Sequence, residues 1–141
     1  MKVNLDNAHD IENMAICIFR KEISFFSNND ALIYEKVNRN VKIIYYSKLA
    51  SALPSDLTSI EFYFSINTKD MWIGFIHVAF PLRSIGIGRQ LVSAVEEVAR
   101  SMDFRNINVF PLQSSRPFWQ KLGYRPHCYT YRALSKSLSN H

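Results

Sequence analysis

The stretch from Met71 to Phe110 constrains the fold of this chain more than any other segment. Met71 to Phe80 is apolar on both of its alternating faces, which is typical of a central strand covered from both sides. From about Gly88 to Met102 the apolar residues share one face at helical spacing, which predicts an amphipathic helix. Ile107 to Phe110 predicts a second strand, stopped by a proline. Two strands joined through a helix run parallel with a right-handed crossover, so we expect a βαβ unit here.

The rest of the chain predicts a hairpin, shorter strands and further helices. A strand from Ser59 to Ile66 alternates apolar and polar residues, and Asn67 to Asp70 predicts the turn into the apolar strand. Together with the βαβ unit, this indicates an α+β fold with a mixed sheet. The other predicted elements are a strand Met1–Leu5, a helix Ile11–Phe26 capped by Asp10, a short helix Ala31–Val37, a strand Val41–Tyr46, a short helix Phe118–Leu122 beginning at Pro117, and a last strand Tyr129–Leu134.

The hairpin turn also predicts which side chains share a face of the sheet. A four-residue turn pairs Ile60 with His77 and Glu61 with Ile76. His77 then belongs to the apolar row and is interpreted as a packed core histidine, while Glu61 and Tyr63 lie on the opposite face. A slip of one residue would exchange the two faces.

Length and composition indicate a globular protein with one domain, residues 1–141. The chain is 48% hydrophobic and 21% charged, with 4 glycines and 5 prolines, which excludes collagen-like and disordered classes. Cys17 and Cys128 have no C-x-x-C spacing, so neither a disulfide framework nor a metal site is expected. No apolar run approaches the ~18 residues of a membrane span, and the N-terminus lacks the apolar core of a secretory signal. We therefore expect a cytoplasmic protein that does not act at a membrane.

Charge is distributed unevenly along the chain. Residues 1–70 carry 8 Lys/Arg and 9 Asp/Glu, whereas residues 71–141 carry 9 Lys/Arg and 3 Asp/Glu, which gives −1 and +6. Seven of the nine basic residues in the second half are arginines, which suit phosphate and carboxylate groups. The second half therefore favours an anionic partner, unless its charge is only a solvated surface.

The loop from Arg83 to Arg89 predicts a phosphate site. It holds Gly86 and Gly88 between a buried strand and an amphipathic helix, so the backbone can turn tightly beside the free N–H groups of the helix. Leu91 stands where a dinucleotide-binding motif has its third glycine, and no Gly-Lys-Ser/Thr follows, so neither a Rossmann nor a Walker loop is indicated. A simple tight turn is the alternative reading of the two glycines.

Two motifs in this half resemble those of the GNAT superfamily of acyl-CoA-dependent N-acyltransferases. The family loop Arg/Gln-x-x-Gly-x-Gly/Ala is matched by residues 83–88, and its Phe-Tyr-x-Lys-Leu-Gly-Phe segment is matched by residues 118–124. The likeness is strong from Trp72 to Arg132, and before that it rests on the order of elements alone. It implies a mostly antiparallel sheet flanked by helices, whose central parallel strands splay to admit acyl-CoA.

The resemblance also implies which residues bind acetyl-CoA or coenzyme A. Ile76, His77 and Val78 would lie along the pantetheine arm, with the amide near Val78 facing the thioester carbonyl. The pyrophosphate would be held by the loop, and its residues are Arg83, Ser84, Ile85, Gly86, Ile87, Gly88 and Arg89. Pro81 and Pro111 independently support this arrangement, because a proline cannot extend a strand ladder and the two strand ends can separate.

The chain departs from the family at two positions of the catalytic machinery. Trp119 stands where many members have a tyrosine that protonates the departing thiolate, and an indole N–H does not give up its proton. Leu112 stands where many members have an asparagine. The resemblance therefore assigns no general acid.

Three residues are candidates for contact with the acceptor amine. Glu61 and Tyr63 lie on the predicted polar face of the hairpin, and Glu22 interrupts the apolar stripe of the first helix, which borders the acceptor cleft in the family. For the first two, a solvent-exposed sheet position is the alternative, and for Glu22 an ion pair with an arginine or an earlier end of the helix.

The resulting hypothesis is transfer of an acetyl or other acyl group from acyl-CoA to a primary amine by direct attack in a ternary complex. The amine belongs to a small molecule or a protein, and a homodimer is possible. A GNAT-shaped protein that binds coenzyme A without efficient catalysis is the first alternative. Binding of nucleic acid is the second, and it is disfavoured because the basic residues are dispersed on helices and loops with no recognised motif.

Overall fold

The computed structural model describes residues 3–23, 29–48, 57–79, 82–83, 85–127 and 130–138, and the statements below concern these residues. Three helices and seven strands form an α+β fold, so the predicted class is confirmed. The helices are α1 (Ala8–Glu22), α2 (Ile87–Ser101) and α3 (Arg116–Lys121), with a 3-10 turn at Gln113–Ser115; the strands are β1 (Asp30–Val37), β2 (Asn40–Lys48), β3 (Leu57–Ser65), β4 (Asp70–His77), β5 (Asn106–Val109), β6 (Arg125–His127) and β7 (Thr130–Ser137).

All seven strands form one sheet in the order β1-β2-β3-β4-β5-β7-β6. Only β4 and β5 run parallel, and α2 connects them, so the predicted βαβ unit is present. Every other neighbouring pair is antiparallel. The sheet is therefore mostly antiparallel with a single parallel junction near its centre.

Helices α1 and α2 cover one face of this sheet. Phe19 of α1 stacks on Tyr45 and Phe62, with ring centroids 4.3 and 5.8 Å apart. The apolar stripe of α2 is buried in the same core, which agrees with its predicted amphipathic pattern. The other face of β1 to β4 carries exposed apolar side chains, among them Ile33, Tyr63 and Phe75. The sheet thus has one packed face and one open face.

The first third of the chain differs from its sequence prediction. The segment from Ala31 to Val37 is not a helix but most of β1, paired along its whole length with β2. A tight turn with Asn38 at φ +57° joins the two strands, so the segment gains a complete ladder that a seven-residue helix could not match. Val3 to Leu5 form no strand, and Met1 and Lys2 lie outside the described residues.

Helix α1 begins three residues earlier than predicted. Its cap is Asn7 rather than Asp10, because the Asn7 side chain accepts hydrogen bonds from the N–H groups of His9 and Asp10 at 3.0 and 3.3 Å. Asp10 instead lies in the first turn, where its charge favours the helix dipole. The helix ends at Glu22, and the predicted end at Phe26 lies outside the described residues.

The last third follows the prediction with one addition. Helix α3 starts at Arg116 with Pro117 in its first turn, and β7 extends to Ser137 rather than ending at Leu134. The addition is β6, a three-residue strand that contains Pro126 and gives no periodic signal. No helix among the described residues is long and apolar enough to cross a membrane.

Candidate functional site

The pairing of β3 with β4 contains a bulge at Gly74. Ile60 pairs with Ile76 and Glu61 with Phe75, but the next pair along is Phe62 with Ile73, so Gly74 has no partner on β3. The predicted pairing of Ile60 with His77 is wrong by one residue. Next to the turn, Phe64 pairs with Met71, two residues away from the predicted register, and the bulge reduces this difference to one.

The bulge changes the face on which the end of β4 presents its side chains. Phe75 lies beside Glu61 and is 55% exposed, whereas Ile73 is buried in the core. The His77 ring stacks with that of Phe75, with centroids 6.4 Å apart, and His77 is half-buried. The interpretation of His77 as a packed core residue is therefore wrong: it belongs to the open face together with Glu61.

Gly74 brings two of the predicted site residues together. A methyl group on Gly74 would lie 2.9 Å from Oε2 of Glu61 and 3.1 Å from Cε1 of Tyr63. Both side chains thus lie directly against the bulge, in the space that any other residue at this position would fill. This close approach explains a glycine in the middle of a sheet, where its lack of a side chain is otherwise unfavourable.

A lysine on the neighbouring strand holds the Glu61 carboxylate. Nζ of Lys42 lies 3.8 Å from Oε1 of Glu61 and 3.3 Å from Oε2 of Glu35. Two carboxylates therefore share one ammonium group on the open face. The Glu61 side chain is about one third exposed and the other two more so, which means that solvent reaches all three charges.

Beyond the bulge, β4 and β5 separate into a cleft. Their parallel pairing covers only four positions and ends at Ile73 and Val109. A cavity of about 210 Å³ opens between the strand ends and α3. Its walls are formed on the β4 side by Gly74, Phe75 and Ile76, on the other side by Phe110, Pro111 and Leu112, and at the base by Phe118 and Trp119. Among the described residues, no strand pairs with this edge of β4 past Ile73, so its backbone groups face the cleft.

The glycine loop lies at the mouth of this cleft. Gly86 has φ +89° and caps α2 without any side chain, so the first N–H groups of the helix are not covered by a capping residue. A Cβ on Gly88 would lie 3.4 Å from the Phe118 ring and 3.7 Å from the Val78 side chain, so the start of α2 packs closely on the end of β4 and on α3. Nε of Arg83 donates to the carbonyl of Val78 at 3.0 Å. Ser84 lies outside the described residues.

Trp119 forms the floor of the cleft. It is 2% exposed, and its ring meets those of Phe118 and Tyr124 edge to face at 5.1 and 5.2 Å. Leu112, in contrast, is 78% exposed on the rim. At these two positions, where the family resemblance leads one to look for a tyrosine and an asparagine, the chain provides apolar packing and an apolar rim.

Glu22, the third candidate, lies apart from Glu61 and Tyr63. It is the last residue of α1, and α1 packs on the face of the sheet opposite to those two side chains. The structure brings Glu61, Tyr63 and His77 to one face beside the cleft and does not bring Glu22 there.

Sequence reasoning missed Lys42, Trp72, Phe110 and the role of Gly74. The scarcity of glycine, with 4 in 141 residues, was a usable signal for Gly74. The other three are cross-strand neighbours, and their association depends on the register and on the bulge, which the sequence pattern does not specify.

A model of one protein family matches the part of the chain that builds this site. It is the acetyltransferase (GNAT) family, and the match covers residues 52–124, just over half of the 141 residues. It includes β3, β4, the glycine loop, α2, β5 and α3. No curated protein sequence matches the chain.

The fold is similar to those of solved acetyltransferase structures. Nourseothricin acetyltransferase aligns with a TM-score of 0.54 at 16% identity over 72% of this chain and 67% of that one. The IAA acetyltransferase from Bacillus cereus ATCC 14579 gives 0.53 at 16% identity, over 77% and 100%. AtaTR, in a crystal structure with AcCoA bound, gives 0.57 at 13% identity, over 79% and 94%. At these identities the likeness is one of fold.

Proposed function

Since this chain belongs to the acetyltransferase (GNAT) family, we propose that it transfers an acyl group, acetyl in the simplest case, from acyl-CoA to a primary amine. One observation carries the proposal. The cleft between β4 and β5 has the uncapped start of α2 at its mouth and the Glu61 carboxylate, seated on the Gly74 bulge, at its inner end. Free helix N–H groups, an open strand edge and a carboxylate thus occur in the order that acyl transfer from acyl-CoA requires, and this order supports the proposal.

The residues of the cleft fit acyl-CoA. The free N–H groups at the start of α2 and the positive end of its dipole suit a pyrophosphate, with Arg89 in the same turn. The unpaired edge of β4 from Gly74 to Val78 suits an extended arm that contains amide groups, because it can exchange backbone hydrogen bonds with it. We assign Ile76, His77 and Val78 to this arm. A protein of similar fold, AtaTR, has been crystallised with AcCoA bound, which supports acyl-CoA as the ligand.

Acyl-CoA supplies an activated thioester carbonyl. A backbone N–H of β4 between Gly74 and Val78 stabilises negative charge on that oxygen. The amine nitrogen forms a bond to the carbonyl carbon, the carbon–sulfur bond breaks, and the sulfur leaves as a thiolate. The acceptor binds as an ammonium and loses two protons. Glu61 accepts one, directly or through a water molecule, before the nitrogen attacks, and solvent takes the other as the amide forms. Tyr63, on the same side of Gly74, contacts the amine.

No side chain needs to protonate the thiolate. Trp119 is buried among aromatic rings and cannot supply a proton. A thiol with a pKa of ~8.5 is already a fair leaving group near neutral pH. Catalysis then rests on holding the two substrates in place and on the backbone contact to the oxygen.

Thermal unfolding in the presence of ligands tests this function. We expect coenzyme A and acetyl-CoA to raise the melting temperature, since a ligand at 100 times its Kd adds about 2.7 kcal/mol of stability. A short oligonucleotide at low salt serves as the control anion and is expected to give no shift. A folded protein with no shift from either coenzyme A species contradicts the proposal.

A substitution in the glycine loop locates the pyrophosphate. Gly86→Glu adds a side chain at positive φ and a negative charge at the start of α2, so we expect the shift from coenzyme A to disappear. Gly123→Ala is the matched control, because Gly123 also has positive φ, +96°, but lies beside Lys136, away from the loop. It bears the same backbone strain of about 1 kcal/mol and should retain the shift. Unchanged binding in Gly86→Glu would refute the placement.

A protein that binds coenzyme A without efficient catalysis is the second candidate function. Trp119 and Leu112 favour it, because both lack the polar groups that many family members have at these positions. Tight binding of acetyl-CoA combined with no release of coenzyme A thiol across a broad panel of primary amines distinguishes it from an enzyme.

A further inference from the structure

A hollow on the open face of the sheet is lined by none of the residues assigned to coenzyme A. It lies beside the β3–β4 hairpin, has a volume of about 560 Å³, and is lined by Glu35, Lys42, Tyr63, Thr68 and Trp72. We call the space that these five residues line the open-face hollow. Its volume falls within the range of roughly 300–1,000 Å³ that is typical of small-molecule sites.

Aromatic rings form one wall of the hollow. Tyr63 and Trp72 are direct cross-strand neighbours, and the Trp72 ring stacks on that of Phe110 at a centroid distance of 4.9 Å and an interplanar angle of 17°. Tyr63 is 39% exposed, and Phe110, which lines the cleft rather than the hollow, covers one face of the Trp72 ring. Exposed aromatic faces attract ammonium groups and bury apolar groups, so this wall suits a ligand that has both.

The charges of the hollow favour a cation only together with the adjoining Glu61, since Glu35 and Lys42 line the hollow and Glu61 lies beside it. Glu35 and Glu61 share the single ammonium of Lys42, which leaves one negative charge uncompensated among these three groups. The chain as a whole carries +5, so this is a local exception. A second ammonium group, supplied by a ligand, would balance the pair of carboxylates.

The hollow meets the cleft at Gly74. The Tyr63 ring lines the hollow and also lies against the bulge, and Glu61, two residues earlier on the same face of β3, lies against the same glycine. Gly74 in turn lines the cleft. An amine held in the hollow therefore lies next to the place where the thioester is proposed to end.

From this continuity we propose that the acceptor is a small monoamine with an apolar or aromatic body, bound in the open-face hollow. Its ammonium group lies at Glu61 and its body lies against Tyr63 and Trp72. The β3–β4 turn, with Thr68, bounds the hollow at its far end, which suits a compact ligand better than a polypeptide. The inference rests on the proposed acyl transfer, because that function supplies the reason for an amine at this place.

Calorimetric titration of the coenzyme A-loaded protein tests the ligand class. The probes are 2-phenylethylamine, ethylamine and an alanine tripeptide with a free N-terminus. We expect 2-phenylethylamine to bind at least about tenfold more tightly than ethylamine, because it adds burial and a contact with the aromatic wall. Equal affinities for the two amines, or tighter binding of the tripeptide, overturn the proposal.

Charge variants test the location, and their effects have opposite signs. Glu35→Gln should weaken 2-phenylethylamine binding and Lys42→Gln should strengthen it, each by roughly two- to fivefold, as for exposed ion pairs. Lys21→Gln is the matched control, because it removes one positive charge from α1, on the other side of the sheet, and should leave the affinity unchanged. Weaker binding in Lys42→Gln contradicts the proposal and indicates a ligand with a carboxylate.

Tryptophan fluorescence supplies a second readout. The chain has two tryptophans, and only Trp72 lines the hollow. The amine should change the emission of the wild-type protein and not that of Trp72→Leu, which keeps an apolar side chain and its coenzyme A melting shift. If Trp72→Leu retains the full amine signal, the location is wrong. If coenzyme A does not shift the melting temperature of the wild-type protein, the proposed acyl transfer is wrong. Titration of the amine without coenzyme A then shows separately whether the hollow binds it.

Discussion

Gly74 is the residue on which the geometry of the site depends. It lets Glu61 and Tyr63 occupy the same small volume beside the cleft, and the bulge around it turns Phe75 and His77 to the open face. Other side chains at position 74 would collide with an atom that the proposed chemistry uses. A substitution of Gly74 should therefore reduce activity more than it reduces the free energy of unfolding.

Gly74→Ala is expected to reduce kcat/KM for acyl transfer on the order of tenfold or more, because the new methyl group displaces the Glu61 carboxylate and the Tyr63 ring. The backbone at Gly74 does not have positive φ, and the Glu61 atom in the way is the end of a flexible side chain. The free energy of unfolding should thus change by no more than about 1 kcal/mol. Steady-state kinetics and urea unfolding measure the two effects.

The control is the same substitution in a Glu61→Ala background. Without the carboxylate, the added methyl group loses its main steric conflict, so Gly74→Ala should cause a smaller further loss of activity there. An additive loss, or full activity of the single variant, contradicts this account of Gly74.

For individual residues, the sequence predicts which side chains belong to the site better than it predicts how they are arranged. Glu61 and Tyr63 alternate with buried residues, so their shared face follows from the period of a strand. The position of His77 does not follow from it, because one inserted residue reverses the facing of every later side chain. The contact between Lys42 and Glu61 depends on the register of β2 against β3, which the sequence pattern does not specify.

The β1–β2 hairpin shows why local pattern fails for short elements. Seven residues from Ala31 to Val37 are too few for helical and strand periodicity to be told apart, and the ladder to β2 decides between them. Two tyrosines in this hairpin differ in their hydrogen bonding. The Tyr45 hydroxyl donates to the buried Asp30 carboxylate at 3.0 Å, whereas the buried Tyr34 hydroxyl has no partner among the described residues.

These tyrosines predict opposite effects of removing a hydroxyl. Tyr45→Phe should lower the free energy of unfolding by about 1–2 kcal/mol, because the buried Asp30 carboxylate loses a donor and, of its side-chain partners among the described residues, keeps Arg20. Tyr34→Phe should leave it unchanged or raise it by up to about 1 kcal/mol, because an unpartnered buried hydroxyl is removed. Urea unfolding of both variants measures the difference, and a larger loss for Tyr34→Phe would falsify the assignment of partners.

Across the whole molecule, a buried charged cluster ties α2 to the C-terminal strands. The Tyr124 hydroxyl donates to Glu96 of α2 at 2.9 Å, and Nζ of Lys136 in β7 lies 3.2 Å from the same carboxylate. Burial, and then the nearby Glu96 charge, raises the pKa of Tyr124 far above its usual value of 10. Burial and Asp30 raise the pKa of Tyr45 in the same way.

Both shifts predict a loss of stability in alkali. Below pH 10 the two phenols are protonated in the folded and unfolded chain, and their contribution is complete. Above pH 10 the unfolded chain releases its protons first, so each phenol lowers the free energy of unfolding by about 1.4 kcal/mol per pH unit. Tyr124→Phe should reduce this slope by one phenol's share. Urea unfolding at pH 9, 10 and 11 measures it, and an identical slope in the variant contradicts the shift.

At the scale of the chain, the elements of the second half were predicted more completely than those of the first, where α1, β2 and β3 were found but β1 was taken for a helix. The βαβ unit rests on a long strongly periodic helix and on prolines and glycines with defined backbone effects, and these signals are local. The sheet order and the three-residue β6 depend on contacts between distant segments, as does the identity of β1. The open-face hollow combines side chains from the four strands β1 to β4, and local patterns do not define such a surface.

The short junction between β4 and β5 has a consequence for motion. Four residue pairs are all that join the strands β1 to β4 with the group β5, β7 and β6 on this side of the sheet. The pantetheine arm of a bound coenzyme A would lie in the cleft like an added strand and lengthen this junction. Hydrogen–deuterium exchange of the amides from Gly74 to His77 should therefore slow when the cleft is filled, and the two parts of the sheet should move together more closely while coenzyme A is bound.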